Sequence, residues 1–229
     1  MITGIIGAMK IEVNSIKSML KNTKVETVSN IEFHVGEYHG HSVVVAQCGI
    51  GKVFAALCAQ TMIVRYHVDQ LINVGVAGGL HPSLKLLDIA ISDSVVEHDM
   101  DTSPLGDPVG LISGINLVKL PATERLYRAF EETARTIGKN ALCGTIASGD
   151  QFIADAERKS FIHKTFDAIA CEMEGAAVGH VCYVNGVDFV ILRAISDNAD
   201  DTAGSMEYPE LCQHAAAQSQ RLLDAFFSR

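Results

Sequence analysis

No segment of this sequence is apolar for long enough to cross a bilayer. The longest stretch without Asp, Glu, Lys or Arg runs from Gln70 to Leu84 and is broken by His81, Pro82 and glycines, whereas a spanning helix needs about 20 apolar residues. Positive charge is scarce as well: 18 basic against 27 acidic residues leave a formal net charge of −9. Without a broad cationic surface there is nothing to release counterions from a nucleic acid or to hold an anionic membrane, so neither is expected as a partner. The opening residues, Met1 to Lys10, carry no basic segment ahead of their apolar stretch, which predicts no secretory leader and a cytoplasmic protein. Cys48, Cys58, Cys143, Cys171, Cys182 and Cys212 are dispersed with no C-x-x-C pair. They read as small buried apolar residues in a reducing compartment, not as a disulfide or zinc framework. Low-complexity runs, Pro/Gly/Ser linkers and solenoid-length repeats are missing too, so residues 1–229 are expected to form one domain.

What is present is a globular composition, with 48% hydrophobic and 20% charged residues, in a chain long enough to bury about 70% of its unfolded surface. Apolar runs of strand length alternate with segments of helical period, which predicts an α/β fold. Strands are expected at Ile2 to Ile6, Gln70 to Val74, Leu87 to Ser92, Ala141 to Ala147, Asp167 to Cys171 and Phe189 to Ile195. Helices are expected at Ile11 to Leu20, Val53 to Tyr66, Ala122 to Ile137, Ala154 to Lys164, Gly175 to Val184 and Tyr208 to Phe227. Two further β-rich runs, Ile31 to Tyr38 and Ser42 to Gln47, meet around His39-Gly40-His41 as a hairpin, so the central β-sheet is mixed and flanked by helices. Residues 98–116 carry Pro104, Pro108 and several glycines without a clear period, the pattern of a long irregular loop of the kind used as a lid or an oligomer contact.

Ligands of an open α/β sheet bind at the carboxyl ends of its strands. The residues that fall there are acidic: Glu12, Asp150, Glu172, Glu174 and Asp197, with Gly75 to Gly79 after the Gln70 strand and Arg193 as the one cation within these strands. The glycines fit no phosphate motif. Ala46 and Val53 break G-x-x-x-x-G-K-[ST] around Lys52, and Ala77 replaces the second glycine of G-x-G-x-x-G. The acidic clusters His98-Asp99-x-Asp101 and Asp197-x-x-Asp200-Asp201 match no metal-ligand spacing, so Asp99, Asp200 and Asp201 read as solvated loop acids. Ser148 and Cys171 lie in no recognisable nucleophile elbow. Carboxylates converging with glycine backbone and the aromatic Phe152 suit a neutral or cationic, hydroxyl-bearing ligand with a stackable ring. A nucleoside fits that description.

Six segments, in order, carry a resemblance. GIIGAMKIEV (Gly4 to Val13), GIGK (Gly49 to Lys52), NVGVAGGL (Asn73 to Leu80), SGDQFI (Ser148 to Ile153), CEMEGAAVGHVC (Cys171 to Cys182) and RAISDNAD (Arg193 to Asp200) resemble the purine nucleoside phosphorylase superfamily. Within it they resemble the bacterial 5′-methylthioadenosine/S-adenosylhomocysteine nucleosidases. Singly each is weak; together they are specific and span essentially the whole chain. The resemblance implies a nucleoside phosphorylase-like fold, hydrolysis of an N-glycosidic bond with release of adenine, a place in methionine salvage, and no cofactor or metal. It implies Glu12 as the base that activates water and Asp197 as the acid that protonates purine N7, supported by Ser196. Met173 and Glu174 match the ribose-binding pair, Phe152 and Ile153 the purine site, and Gly78 the loop lining ribose and adenine. Arg193 matches an arginine that reaches toward the water and Glu12. Taken without the motifs, Glu12 and Glu174 would be first-turn helix acids, Asp197 a cap or turn residue, and Phe152-Ile153 core.

Adenine leaves poorly as an anion, so a proton on N7 neutralises the departing base while the sugar approaches an oxocarbenium ion. Asp197 has to bring that proton, and Glu12 has to be ionised. One departure is Val76, where many relatives have Ser or Thr, so hydrolysis would lean harder on Glu12 and Arg193. Val76 and Glu12 together disfavour a phosphate pocket, hence hydrolysis over phosphorolysis. Met100, Leu105 and Pro108 resemble the region that a neighbouring subunit contributes to the 5′ pocket, which implies a homodimer. Three other readings stay open: hydrolysis of 6-amino-6-deoxyfutalosine, a noncatalytic adenosine-binding module, and a metallohydrolase.

Overall fold

The computed structural model describes residues 1–199 and 208–229, the side chain of Tyr208 excepted. The chain begins with β1 (Ile2–Gly7) and α1 (Lys10–Met19), followed by three antiparallel-linked strands, β2 (Lys21–Val28), β3 (Ile31–Tyr38) and β4 (His41–Gln47). Then come α2 (Lys52–Tyr66), β5 (Gln70–Gly79), β6 (Ile89–Glu97) and the two-residue β7 (Leu120–Pro121). The remainder alternates: α3 (Glu124–Thr136), β8 (Ala141–Ser148), α4 (Ala156–Phe166), β9 (Ala168–Glu172), α5 (Gly175–Asn185), β10 (Asp188–Asp197) and α6 (Tyr208–Phe227).

Local sequence accounts for most of these elements. β1 and β5 are buried along nearly their whole length, as strands covered on both faces must be, and their residues are correspondingly apolar. Successive residues of β1 serve opposite layers. Ile6 belongs to the core cluster that holds Ala55, Met62 and Ala176 of α2 and α5, and Ile5 to the one that holds Val13, Phe130 and Leu222 of α1, α3 and α6. α3 buries Leu126, Phe130, Thr133 and Ala134 along one stripe. Asp155 caps α4 by accepting from the amides of Glu157 and Arg158, both at 3.0 Å.

Several features depart from the sequence reading, among them the short β7 and the run of β6 on to Glu97 where Ser92 was expected to end it. β2 was not expected; its residues are exposed except the half-buried Val28, so no alternation of burial marks it, and pairing with β3 alone makes it a strand. β5 does not end at Val74 but runs through Gly75–Gly79, because β10 pairs with it in parallel to Gly78 and β9 pairs antiparallel at Gly78 and Gly79. The sheet is mixed, as expected, but it is not open. In the order β2-β3-β4-β1-β5-β9-β8-β6-β10 the last strand returns to pair with β5, closing β5, β9, β8, β6 and β10 into a ring. Residues 98–116 are irregular, with a 3-10 turn at Ser103–Leu105 and an amide of Gly110 donating 2.7 Å to the Met100 carbonyl.

Candidate active site

A cavity open to solvent lies at the carboxyl ends of β1, β5, β9 and β10. Glu12, Gly78, Phe152, Ile153, Met173, Glu174, Ser196 and Asp197 all line it, as do Ala8, Met9, Ile50 and Gln151, which the sequence did not nominate as site residues, and Val76 and Glu172, which it noted only as a departure and as a strand-end acid.

Glu12 sits in the first turn of α1 and does two things at once. Its Oε2 accepts from the amides of Ala8 and Met9, both 2.8 Å, closing the N-terminus of its own helix, and its Oε1 accepts from the amide of Val76 at 3.1 Å. A carboxylate has about four lone-pair sites, so one on Oε1 stays available for a water. Burial raises its carboxyl above the ordinary value of 4.5, against the lowering pull of Arg193 and the three amides. The helix-acid and general-base readings are therefore compatible in one side chain.

Asp197 is the last residue of β10. Its Oδ2 accepts from the Ser196 hydroxyl at 2.8 Å and its Oδ1 from the amide of Ala199 at 2.7 Å. Both acids crowd the same strand. A Cβ on Gly75 would lie 2.7 Å from Glu12 Oε1, and one on Gly78 would lie 3.0 Å from Asp197 Oδ1. Gly75 and Gly78 are three steps apart along the strand, about 10 Å. Glycine is required here by close approach, not by backbone conformation.

Glu172, the end of β9, organises the third side. It accepts from the amides of Glu174 (3.1 Å) and Gly175 (2.8 Å), from the Ser148 hydroxyl, and from Arg193 through Nε (3.1 Å) and Nη2. Capping of α5 thus falls to Glu172, and Glu174, at the N-cap position, makes no cap bond with its side chain. Glu174 Oε1 instead accepts from the amide of Gly51 at 2.8 Å. Burial, reinforced by the neighbouring Glu172, pushes the Glu174 carboxyl up to about 7.

Arg193 lies beneath the cavity lining, close enough to Glu12 for its charge to lower that carboxyl's proton affinity. It is 1% exposed and does not line the cavity. Its guanidinium is held by Glu172, by Asn73 Oδ1 and, at 3.0 Å, by the Leu192 carbonyl. A charge this deep is tolerated only when paired and hydrogen-bonded; it bonds directly to Glu172, which lines the cavity, and acts on Glu12 and Glu174 through its field. Asp99 is placed differently from its expected role. It was read as a solvated loop acid, but its side chain is 18% exposed, with Oδ1 2.6 Å from Lys52 Nζ, because Lys52 at the start of α2 reaches both it and Glu97. Asp200 and Asp201 lie outside the described residues. Among the described residues no cluster of three His, Cys, Asp or Glu is arranged to hold a metal ion.

The sequence collected Glu172 as a strand-end acid and Gly51 within GIGK but gave neither a role, because their roles are relational. Glu172 stands two residues before Glu174 with the same side chain, and only the buried guanidinium beside it distinguishes the two.

Comparison with known proteins gives this geometry its context. Residues 2–228 match the model of the phosphorylase superfamily. The 5′-methylthioadenosine/S-adenosylhomocysteine nucleosidase of Shewanella oneidensis is 40% identical over 199 residues, covering 86% of this chain and 84% of its own. The nucleosidase of the same name from Neisseria meningitidis, solved with methylthio-immucillin-A, has a TM-score of 0.95 at 33% identity, covering 99% of this chain and 98% of its own. The native futalosine hydrolase of Helicobacter pylori has a TM-score of 0.93 at 35% identity, covering 98% and 96%. With the family model spanning nearly every residue and the fold shared end to end, the chain belongs to the phosphorylase superfamily.

Proposed function

We propose that the protein hydrolyses the N-glycosidic bond of 5′-methylthioadenosine and S-adenosylhomocysteine, and of 5′-deoxyadenosine, releasing adenine and the corresponding sugar. The observation that carries this reading is that Glu12 and Asp197 line one cavity against the same strand, with Glu174 beside them. In the proposed reaction the C1′–N9 electron pair departs with adenine, and the Asp197 proton on N7 lets the base leave neutral. Water then adds its hydroxyl to C1′ and its proton passes to Glu12. Glu174 accepts from the sugar hydroxyls. Negative charge around the sugar favours the oxocarbenium character of the transition state. As with inverting glycosidases, the two carboxyls work from opposite sides of one bond. Val76 offers no hydroxyl to the water, so in this reading the water depends on Glu12 Oε1. The Phe152 ring, half exposed at the cavity, is suited to stack on the purine, with Ile153 and Met173 as apolar wall.

The test is adenine release from 5′-methylthioadenosine in phosphate-free buffer containing EDTA. Full turnover there is expected; a requirement for phosphate would make the protein a phosphorylase, one for a metal a metallohydrolase, and binding without adenine release a nucleoside-binding module. The likeness to a futalosine hydrolase favours 6-amino-6-deoxyfutalosine as a second substrate, measured in the same assay.

The same reading places the chain in methionine salvage, in the cytoplasm, as a homodimer of one-domain subunits. Exposed Ile50, Val53 and Leu57 along the start of α2, and Leu105 in the 98–116 segment, support an apolar contact close to the cavity. Sedimentation should give a mass near twice 24.6 kDa; a species of one chain at micromolar concentration would contradict the dimer.

A further inference from the structure

The GIGK segment is not used by the reaction as drawn, although Ile50 lines the cavity and the amide of Gly51 donates to Glu174 Oε1. Gly51 has φ +101° and ψ 159°, a conformation essentially confined to glycine, and no side chain of its own caps α2 at this point. The cap comes from elsewhere. Asp150, in the loop after β8, accepts from the amide of Lys52 at 2.8 Å. The amide of Asp150 donates to Asp99 Oδ2 at 2.9 Å, and Lys52 Nζ donates to Asp99 Oδ1 at 2.6 Å. Three residues thus make three bonds in a closed circuit: Lys52 side chain to Asp99, Asp150 backbone to Asp99, and Lys52 backbone to Asp150. Lys52 Nζ is also 3.1 Å from Glu97 Oε2, whose other oxygen lies 2.8 Å from His180 Nδ1.

The circuit ties the start of α2 to the residues after β6 and to the loop that continues into Gln151, Phe152 and Ile153, two segments already adjacent through the β6–β8 pairing and the His98 amide on the Ser148 carbonyl. We propose that Lys52, Asp99 and Asp150 form a positioning clamp that holds the Gly51 amide on Glu174 and thereby fixes the carboxylate that receives the sugar hydroxyls. None of the three lines the cavity, so each acts through Gly51 and Glu174. The inference rests on the nucleosidase reading for its kinetic consequence, but its structural consequence is independent of turnover. With the circuit cut, Gly51 keeps its strained backbone less well, its amide exchanges faster, and Glu174 loses the donor that aims it.

The experiment uses the full chain with Asp99→Ala, Lys52→Met, Asp150→Ala and Asp150→Asn. Asparagine keeps an oxygen where Lys52 donates its amide. Three readouts are taken: hydrogen exchange at the Gly51 amide, kcat and KM for 5′-methylthioadenosine, and the KM ratio between this substrate and its 3′-deoxy analogue. Asp99→Ala and Lys52→Met should speed Gly51 exchange at least tenfold. KM should rise about tenfold with kcat within threefold, and discrimination against the 3′-deoxy analogue should shrink at least fivefold. Asp150→Ala should behave alike, and Asp150→Asn should recover most of the loss. General loosening would raise both KM values together and leave their ratio unchanged. That result, or unaltered Gly51 exchange in a folded Asp99→Ala or Lys52→Met protein, overturns the clamp. If the wild type releases no adenine the nucleosidase reading fails, and Gly51 exchange still decides the clamp by itself.

Discussion

Glu12 shows how one side chain can serve a helix and a reaction. Its two bonds to the amides of Ala8 and Met9 fix the carboxylate, the Val76 amide aims Oε1, and burial lifts its proton affinity toward working pH, where a general base is most effective. Glu174 carries the larger consequence for stability. Its carboxyl is at about 7 in the folded protein against an ordinary 4.5, so between these values the folded state binds more protons than the unfolded state. Linkage then requires its contribution to stability to fall as pH rises through that window. Tm of the ligand-free protein should accordingly lose part of its value between pH 4.5 and 7, and Glu174→Gln should remove that part; an identical Tm profile in the variant would contradict the assignment. At this scale the sequence motifs delivered Glu12, Glu174 and Asp197, whose side chains do line the cavity. Arg193 was legible as a residue but not as a position, because nothing in a linear motif says which face of β10 turns toward Glu172 and Asn73.

The elements explain why two acids can approach one strand. β5 remains hydrogen-bonded through Gly75, Val76, Ala77 and Gly78 while Glu12 comes from α1 and Asp197 from β10. Gly75→Ala would set a methyl 2.7 Å from Glu12 Oε1, displacing the carboxylate or the strand. Overpacking of this kind costs about 1–3 kcal/mol. The variant should stay folded with a lowered Tm and lose turnover at least tenfold; wild-type turnover would show that the Glu12 position is unimportant. Elements with a one-sided apolar pattern, such as α3, could be read directly from sequence. β2 could not, since its solvated faces leave no periodicity, and the extension of β5 could not, since a glycine run looks like a loop until both neighbouring strands are in place.

Over the whole molecule, ring closure of β5, β9, β8, β6 and β10 brings β1, β5, β9 and β10 to one rim, where four acids line the cavity and three of them surround a buried guanidinium. Glu12, Glu172 and Glu174 each stabilise the charge of Arg193, despite the opposing effect of burial. Arg193 therefore lets acids share a cavity that would otherwise repel them. A cavity of that sign suits a ligand that becomes cationic as it reacts, and it disfavours an anionic co-substrate. The closure itself was not legible, because it depends on β10 pairing with β5 and β6 at once, a long-range register that no local segment encodes.

The central claim is that one acid and one base act across a single glycosidic bond, and single-turnover adenine release by Glu12→Gln and Asp197→Asn measures it most directly. Positioned proton transfer contributes about 10²–10⁴-fold to a rate. Each variant is expected to bind 5′-methylthioadenosine and to release adenine slower than wild type by that factor. Release at close to the wild-type rate by either folded variant would contradict the account.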